Sequence, residues 1–135
     1  MVKIIMGLKG TGKTKALIDS VNASVAEDHG SVVCIEKGTK LRYDISHAAG
    51  LISAEEYKID DYEKFFGFVN GILAANFDIT HLYIDSITKI CNNNINMNDL
   101  QSFIENLEHV SKDTDIIITV SEDPEKATEY IKKHF

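Results

Sequence analysis

Gly7-Leu8-Lys9-Gly10-Thr11-Gly12-Lys13-Thr14 fits the pattern G-x-x-x-x-G-K-[ST] without deviation. Each position has a physical task. The glycines let the backbone turn tightly, so that successive N–H groups point inward toward phosphate oxygens. Lys13 offers a compact positive charge to the β- and γ-phosphates of a nucleotide, and Thr14 a hydroxyl to Mg²⁺. Lys15, the next residue, is grouped with the loop as a nucleotide contact. The run before the motif, Val2-Lys3-Ile4-Ile5-Met6, reads as a buried strand. A helix is predicted from about Lys13, with Leu17, Val21 and Val25 four apart on one face. Its positive dipole end adds to the anion site. A strand, a glycine-rich turn and a helix in that order are the setting a phosphate-binding loop requires, and ATP with Mg²⁺ is the expected ligand.

Outward from this loop the chain alternates between short apolar runs and amphipathic segments. The first helix is expected to stop near Asp28-His29-Gly30, a glycine being a common helix terminator. Ser31-Val32-Val33-Cys34-Ile35-Glu36 reads as a second buried strand. Residues 37–49 read as irregular or weakly helical, and Gly50-Leu51-Ile52-Ser53 as a short third strand. Asp60 is predicted to cap the next helix, with Glu63 as its capping-box partner. Phe65, Phe66, Phe68, Val69, Ile72 and Leu73 cover more than one face, which predicts that this helix is largely buried. His81-Leu82-Tyr83-Ile84-Asp85 is the next strand. An asparagine-rich loop over 91–98 then leads to a helix capped by Asn98, with Leu100, Phe103, Ile104 and Leu107 on its apolar face. The last strand is Asp115-Ile116-Ile117-Ile118-Thr119-Val120. Asp123-Pro124 marks the start of a final helix carrying Ala127, Tyr130 and Ile131. Continuous apolar strands separated by helices belong in a parallel sheet covered on both faces. The predicted fold is a three-layer αβα sandwich with a mostly parallel four- to five-stranded sheet, forming one domain over residues 1–135.

Asp85 ends its strand at the edge where open α/β sheets bind ligands. A phosphate site that works with Mg²⁺ needs such a carboxylate to hold the hydrated metal, so Asp85 and Thr14 are the candidate metal residues. The segment Leu82-Tyr83-Ile84-Asp85-Ser86-Ile87 resembles the Walker B segment of RecA-like ATPases, whose Asp is commonly followed by Ser. The resemblance runs in order through most of the chain: the loop and its helix, the strand to Glu36, the short Leu51 strand, the Asp85 strand and a later strand ending in a polar residue. It implies the additional-strand division of P-loop NTPases, with the Val2 strand beside the Asp115 strand and the Leu82 strand next. The chain also looks like short single-domain bacterial ATP-binding proteins. RecA-like enzymes place a catalytic glutamate near the end of the strand after the first helix. The resemblance therefore makes Glu36 the candidate base, beside Lys13 as the second catalytic residue; Gly38 is an alternative register for that position. Thr119 or Ser121 is a candidate γ-phosphate sensor. Arg42, the sole arginine, is the one candidate arginine finger; Lys40, Arg42 and Lys64 can equally be solvated surface.

Composition narrows the function classes. The chain has 135 residues, 44% of them hydrophobic, and a net charge of −7. That charge opposes a generic nucleic-acid or anionic-membrane binder, because both need a basic face. No apolar run reaches the roughly 18 residues of a membrane span, and Met1 leads into an apolar stretch without signal-peptide features; a cytoplasmic protein is expected. Cys34 and Cys91 have no metal-ligand spacing and read as reduced thiols. A kinase that transfers phosphate to a small acceptor typically uses several arginines, and this chain has one. Glu36-Lys37 to Tyr43 bears a faint likeness to the acceptor side of thymidine kinases, but that family's zinc-binding cysteines are missing. Three outcomes stay open: a RecA-like ATPase stimulated by a protein partner or by self-assembly, a nucleotide-dependent binding module without turnover, and a small-molecule kinase.

Overall fold

The computed structural model describes residues 1–27 and 30–135. Five strands, β1 (Val2–Gly7), β2 (Ser31–Glu36), β3 (Gly50–Ser53), β4 (Ile79–Ile84) and β5 (Asp115–Ser121), form one sheet in the order β1-β5-β4-β2-β3. Every pairing is parallel. β5 therefore lies between β1 and β4, the arrangement that the sequence resemblance implies. The sheet takes five strands because Gly50–Ser53 pairs along β2, with Val33 opposite Gly50 and Glu36 opposite Ser53.

Side chains alternate across each strand and so build two cores. On one face Val32 and Cys34 of β2 join Tyr83 and Ile117 against Leu17 and Val21 of helix α1 (Lys13–Glu27). On the other, Val33 and Ile35 join Ile84, Ile118 and Val120 against the remaining helices. These are α2 (Tyr62–Ala75), the short α3 (Ile87–Ile90), α4 (Met97–Val110) and the short α5 (Glu129–Lys132). The Tyr83 hydroxyl bonds Ser20 Oγ at 3.0 Å and Ser24 Oγ at 2.6 Å, tying β4 to α1. At the far edge the Ile4 N–H donates to the His134 carbonyl at 2.7 Å, so the chain end covers the outer side of β1. Among the described residues no helix is long and apolar enough to cross a membrane.

Several local expectations are corrected. Asp61, not Asp60, caps α2, its carboxylate accepting the Lys64 N–H at 2.7 Å. Asp60 instead pairs with the Lys64 ammonium at 2.7 Å, and no reciprocal bond from Glu63 forms among the described residues. Only Phe65 and Val69 of α2 are buried; Phe66, Phe68, Ile72 and Leu73 lie half-exposed on its flanks. One stripe suffices because α2 packs chiefly on α4, with the Phe65 ring 5.5 Å from that of Phe103. Asn96 rather than Asn98 caps α4, accepting the N–H groups of Asn98 and Asp99. The predicted final helix is two pieces, a 3-10 turn Pro124–Lys126 capped by Asp123 and α5 capped by Thr128. The expected helix stop at Asp28-His29-Gly30 rests on residues 28 and 29, which lie outside the described residues.

Candidate functional site

The loop between β1 and α1 turns through Gly10 (φ 85°) and Gly12 (φ 84°). A side chain at either position would be strained by this left-handed backbone although nothing crowds it. The consequence is a row of N–H groups, those of residues 9–14, that donate to no protein acceptor among the described residues. The first internal bond of the helix runs from the Ala16 N–H to the Gly12 carbonyl at 3.0 Å. Free N–H groups at the start of a 15-residue helix form a site for negative charge.

Lys13 is buried under this loop, its ammonium donating to the Leu8 carbonyl at 2.8 Å. Burial lowers its pKa, and the negative charge of Asp85 acts in the opposite direction. Leu8 is 56% exposed at the loop's crest. Lys15 points along the surface of α1 and pairs with Asp19 at 3.1 Å, so of the residues grouped as nucleotide contacts it is the one engaged away from the loop.

Asp85 follows β4 directly, its N–H donating to the Ile35 carbonyl at 2.9 Å. Its carboxylate faces α1: the Thr14 hydroxyl lies 3.3 Å from Oδ1. Parallel pairing places Ile35 opposite Ile84, and the strand ends thus bring Glu36 and Asp85 to the same edge. A cleft of about 400 Å³ in front of them is lined by Thr14, Glu36, Gly38 and Asp85 together with Lys37, Lys40 and Lys89. Positions as far apart as 14 and 85 meet there because all C-terminal strand ends of a parallel sheet face one way.

Glu36 is buried at 4% exposure and bonded to the turn that follows it. Oε1 accepts the Lys40 N–H at 2.8 Å and Oε2 the Leu41 N–H at 3.1 Å. Burial raises its pKa; the two N–H bonds and Lys40 oppose the shift, while Asp85 adds to it. A carboxyl biased toward holding a proton suits a general base, although both oxygens already serve the backbone.

Thr119, a candidate γ-phosphate sensor, is fully buried behind Asp85. Its hydroxyl donates to Asp85 Oδ1 at 3.0 Å and accepts the Ser86 N–H at 2.7 Å. It is a positioning residue for Asp85, a role the sequence signals only as one hydroxyl inside an apolar run. Ser121 ends β5 opposite Gly7. Arg42 does not reach the Thr14–Asp85 cleft; it borders a neighbouring hollow, its guanidinium 4.9 Å from the Tyr43 ring centre. Lys64 is engaged by Asp60.

The residues present fit a magnesium nucleotide: an N–H-lined loop with its lysine, and a hydroxyl facing a carboxylate beside it. No protein-family model matches the chain, and no curated protein matches it in sequence. Among solved structures it is similar to the flagellar accessory protein FlaH from Methanocaldococcus jannaschii, with a TM-score of 0.63 and 19% identity. The match covers 98% of this chain and 65% of that one, so the chain spans less than two thirds of its neighbour. With the all-parallel sheet and its strand order, this likeness gives the chain the three-layer α/β fold of RecA-like P-loop NTPases.

Proposed function

We propose that this protein binds Mg-ATP through residues 7–14 and hydrolyses it slowly, as a RecA-like ATPase stimulated by a protein partner or by its own assembly. The observation that carries the reading is the meeting of the Thr14 hydroxyl and the Asp85 carboxylate, 3.3 Å apart, beside the N–H-lined loop. Lys13 and the loop N–H groups would hold the β- and γ-phosphates, with Thr14 and Asp85 holding Mg²⁺, which supplies charge neutralisation on those phosphates. Glu36 would take the proton of an attacking water from its place in the cleft with Thr14 and Asp85.

One observation favours a second reading. Both Glu36 oxygens are engaged by the backbone of Lys40 and Leu41, and a base so restrained suits a nucleotide-dependent binding module that does not turn over.

Calorimetric titration with ATP and Mg²⁺, followed by phosphate release on the same sample, tests both. Binding with release supports the ATPase, and Glu36→Gln is then expected to spare binding and remove release. Binding without release supports the module, whereas phosphate appearing on an added nucleoside would point to a kinase. Lys13→Ala is expected to abolish nucleotide binding; unchanged affinity in that variant would refute the phosphate-loop assignment.

A further inference from the structure

Phosphoryl transfer needs positive charge around the transferring oxygens, a task arginine often performs. The sole arginine, Arg42, borders a different hollow. The cleft in front of Thr14 and Asp85 is bordered instead by three lysines, Lys37, Lys40 and Lys89. Lys37 and Lys40 stand in the turn after β2, and Lys89 lies on α3 just after β4. The parallel sheet gathers them by placing the ends of these two neighbouring strands side by side.

None of the three is in an ion pair among the described residues, although the Lys40 charge is felt by Glu36. Lys15, Lys64, Lys126 and Lys132 each pair with a carboxylate. Among the described residues no carboxylate lies within ion-pair distance of Lys37, Lys40 or Lys89. The acidic groups on the same wall are largely engaged elsewhere. Glu36 accepts backbone N–H groups, and Asp85 is bonded to Thr14, Thr119 and Ser86. Glu55 is the remaining carboxylate of the lining. Other surface lysines also lack an ion pair among the described residues; what sets these three apart in a chain of net charge −7 is that they border one cleft together with Thr14 and Asp85.

We propose that Lys37, Lys40 and Lys89 form a clamp for an oxyanion lying in front of Thr14 and Asp85. The inference rests on the nucleotide reading above and deepens it. The oxyanion has two sources, the γ-phosphate of bound nucleotide or the phosphate group of a separate small ligand. A cleft of about 400 Å³ has the size of a small-molecule site and admits either.

The test compares wild type with the triple variant Lys37→Gln/Lys40→Gln/Lys89→Gln. A control triple, Lys3→Gln/Lys112→Gln/Lys133→Gln, makes the same change in net charge at exposed positions away from the cleft. Affinities for Mg-ATP and Mg-ADP are measured by calorimetry, and inorganic phosphate is titrated into ADP-loaded protein. If the γ-phosphate is the source, the clamp triple loses about tenfold or more in ATP affinity. ADP affinity and both affinities of the control triple stay within about twofold. If a separate ligand is the source, both nucleotide affinities of the clamp triple stay within about twofold of wild type, and ADP-loaded wild type binds phosphate where the clamp triple does not. Replacing the three lysines by arginine is expected to retain the binding that the glutamine triple loses. Equal losses for ATP and ADP, or no change in any arm, would overturn the clamp. Failure of wild type to bind either nucleotide would refute the phosphate loop alone. Pyrophosphate titrated without nucleotide then decides the clamp: loss of binding in the clamp triple supports it, and equal binding overturns it.

Discussion

The Thr119 hydroxyl donates to Oδ1 of Asp85 at 3.0 Å, while the Thr119 hydroxyl oxygen itself accepts the Ser86 N–H at 2.7 Å. Ser86 has φ 54°, a left-handed backbone uncommon outside glycine. One buried side chain on β5 thus fixes both the carboxylate at the end of β4 and the turn that leaves it. Thr119→Val keeps the shape and removes both bonds, stranding a buried N–H and part of a buried carboxylate. The expected loss is about 1–3 kcal/mol of folding stability, read from urea unfolding, with weaker Mg²⁺ dependence of ATP binding. Thr119→Ser is expected to restore most of both. A valine variant as stable as wild type would refute this role.

Glu36 makes stability depend on pH in a definite direction. Burial raises its pKa above the ordinary 4.5, so the folded chain holds this proton more tightly than the unfolded one. Its contribution is therefore fully present below the ordinary value and lost as the pH rises through the raised one. Glu36→Gln retains a carbonyl oxygen for the Lys40 and Leu41 N–H groups and never ionises. Relative to wild type, the glutamine variant is expected to gain stability as the pH rises above that ordinary value, measured by urea midpoints. The opposite trend would mean that the ionised carboxylate is the better partner for those N–H groups.

Both thiols should be inert in the folded protein. Burial pushes the Cys91 thiol up to about 12, with Asp61 and Asp60 adding to the shift. Burial, then Asp85 and Glu36, raises Cys34 further. The thiolate is the reactive form, so alkylation under native conditions should proceed only as fast as the chain opens. Mass spectrometry of a labelling time course with and without urea would show this, and rapid labelling of either cysteine without denaturant would contradict it.

Phe65 and Val69 are the buried residues of α2, and Phe65 is the larger. It is fully buried and packs 5.5 Å from the Phe103 ring, whereas Phe66 and Phe68 on the flanks remain half-exposed. Phe65→Ala is expected to cost about 3–5 kcal/mol and Phe66→Ala clearly less. Thermal unfolding of the two variants separates them, and equal losses would mean that the flanks bear as much of the packing as the central stripe.

Much of the fold was legible because its signals are local. The apolar runs around Ile4, Ile35, Ile84 and Ile118 become strands at their expected places, and the loop's two left-handed turns fall on Gly10 and Gly12. The caps were misplaced by one or two residues, since Asp60 and Asp61, or Asn96 and Asn98, have equal intrinsic capping ability. Geometry in the surrounding chain decides which carboxylate or amide meets the free N–H groups. The burial of α2 was overestimated because a run of aromatics does not say how much partner surface will cover it.

The sequence alone determined which groups the loop over residues 7–14 presents, because the spacing of glycines, lysine and threonine constrains consecutive backbone atoms. It also determined the α/β alternation, because strands buried on both faces must be apolar throughout. Tertiary structure alone decided that Thr119 holds Asp85, that Glu36 is tied to its own turn, and that Lys37, Lys40 and Lys89 share a cleft from which Arg42 is absent. These are meetings of residues up to dozens of positions apart. They arise from the strand order of a parallel sheet, which no local pattern encodes.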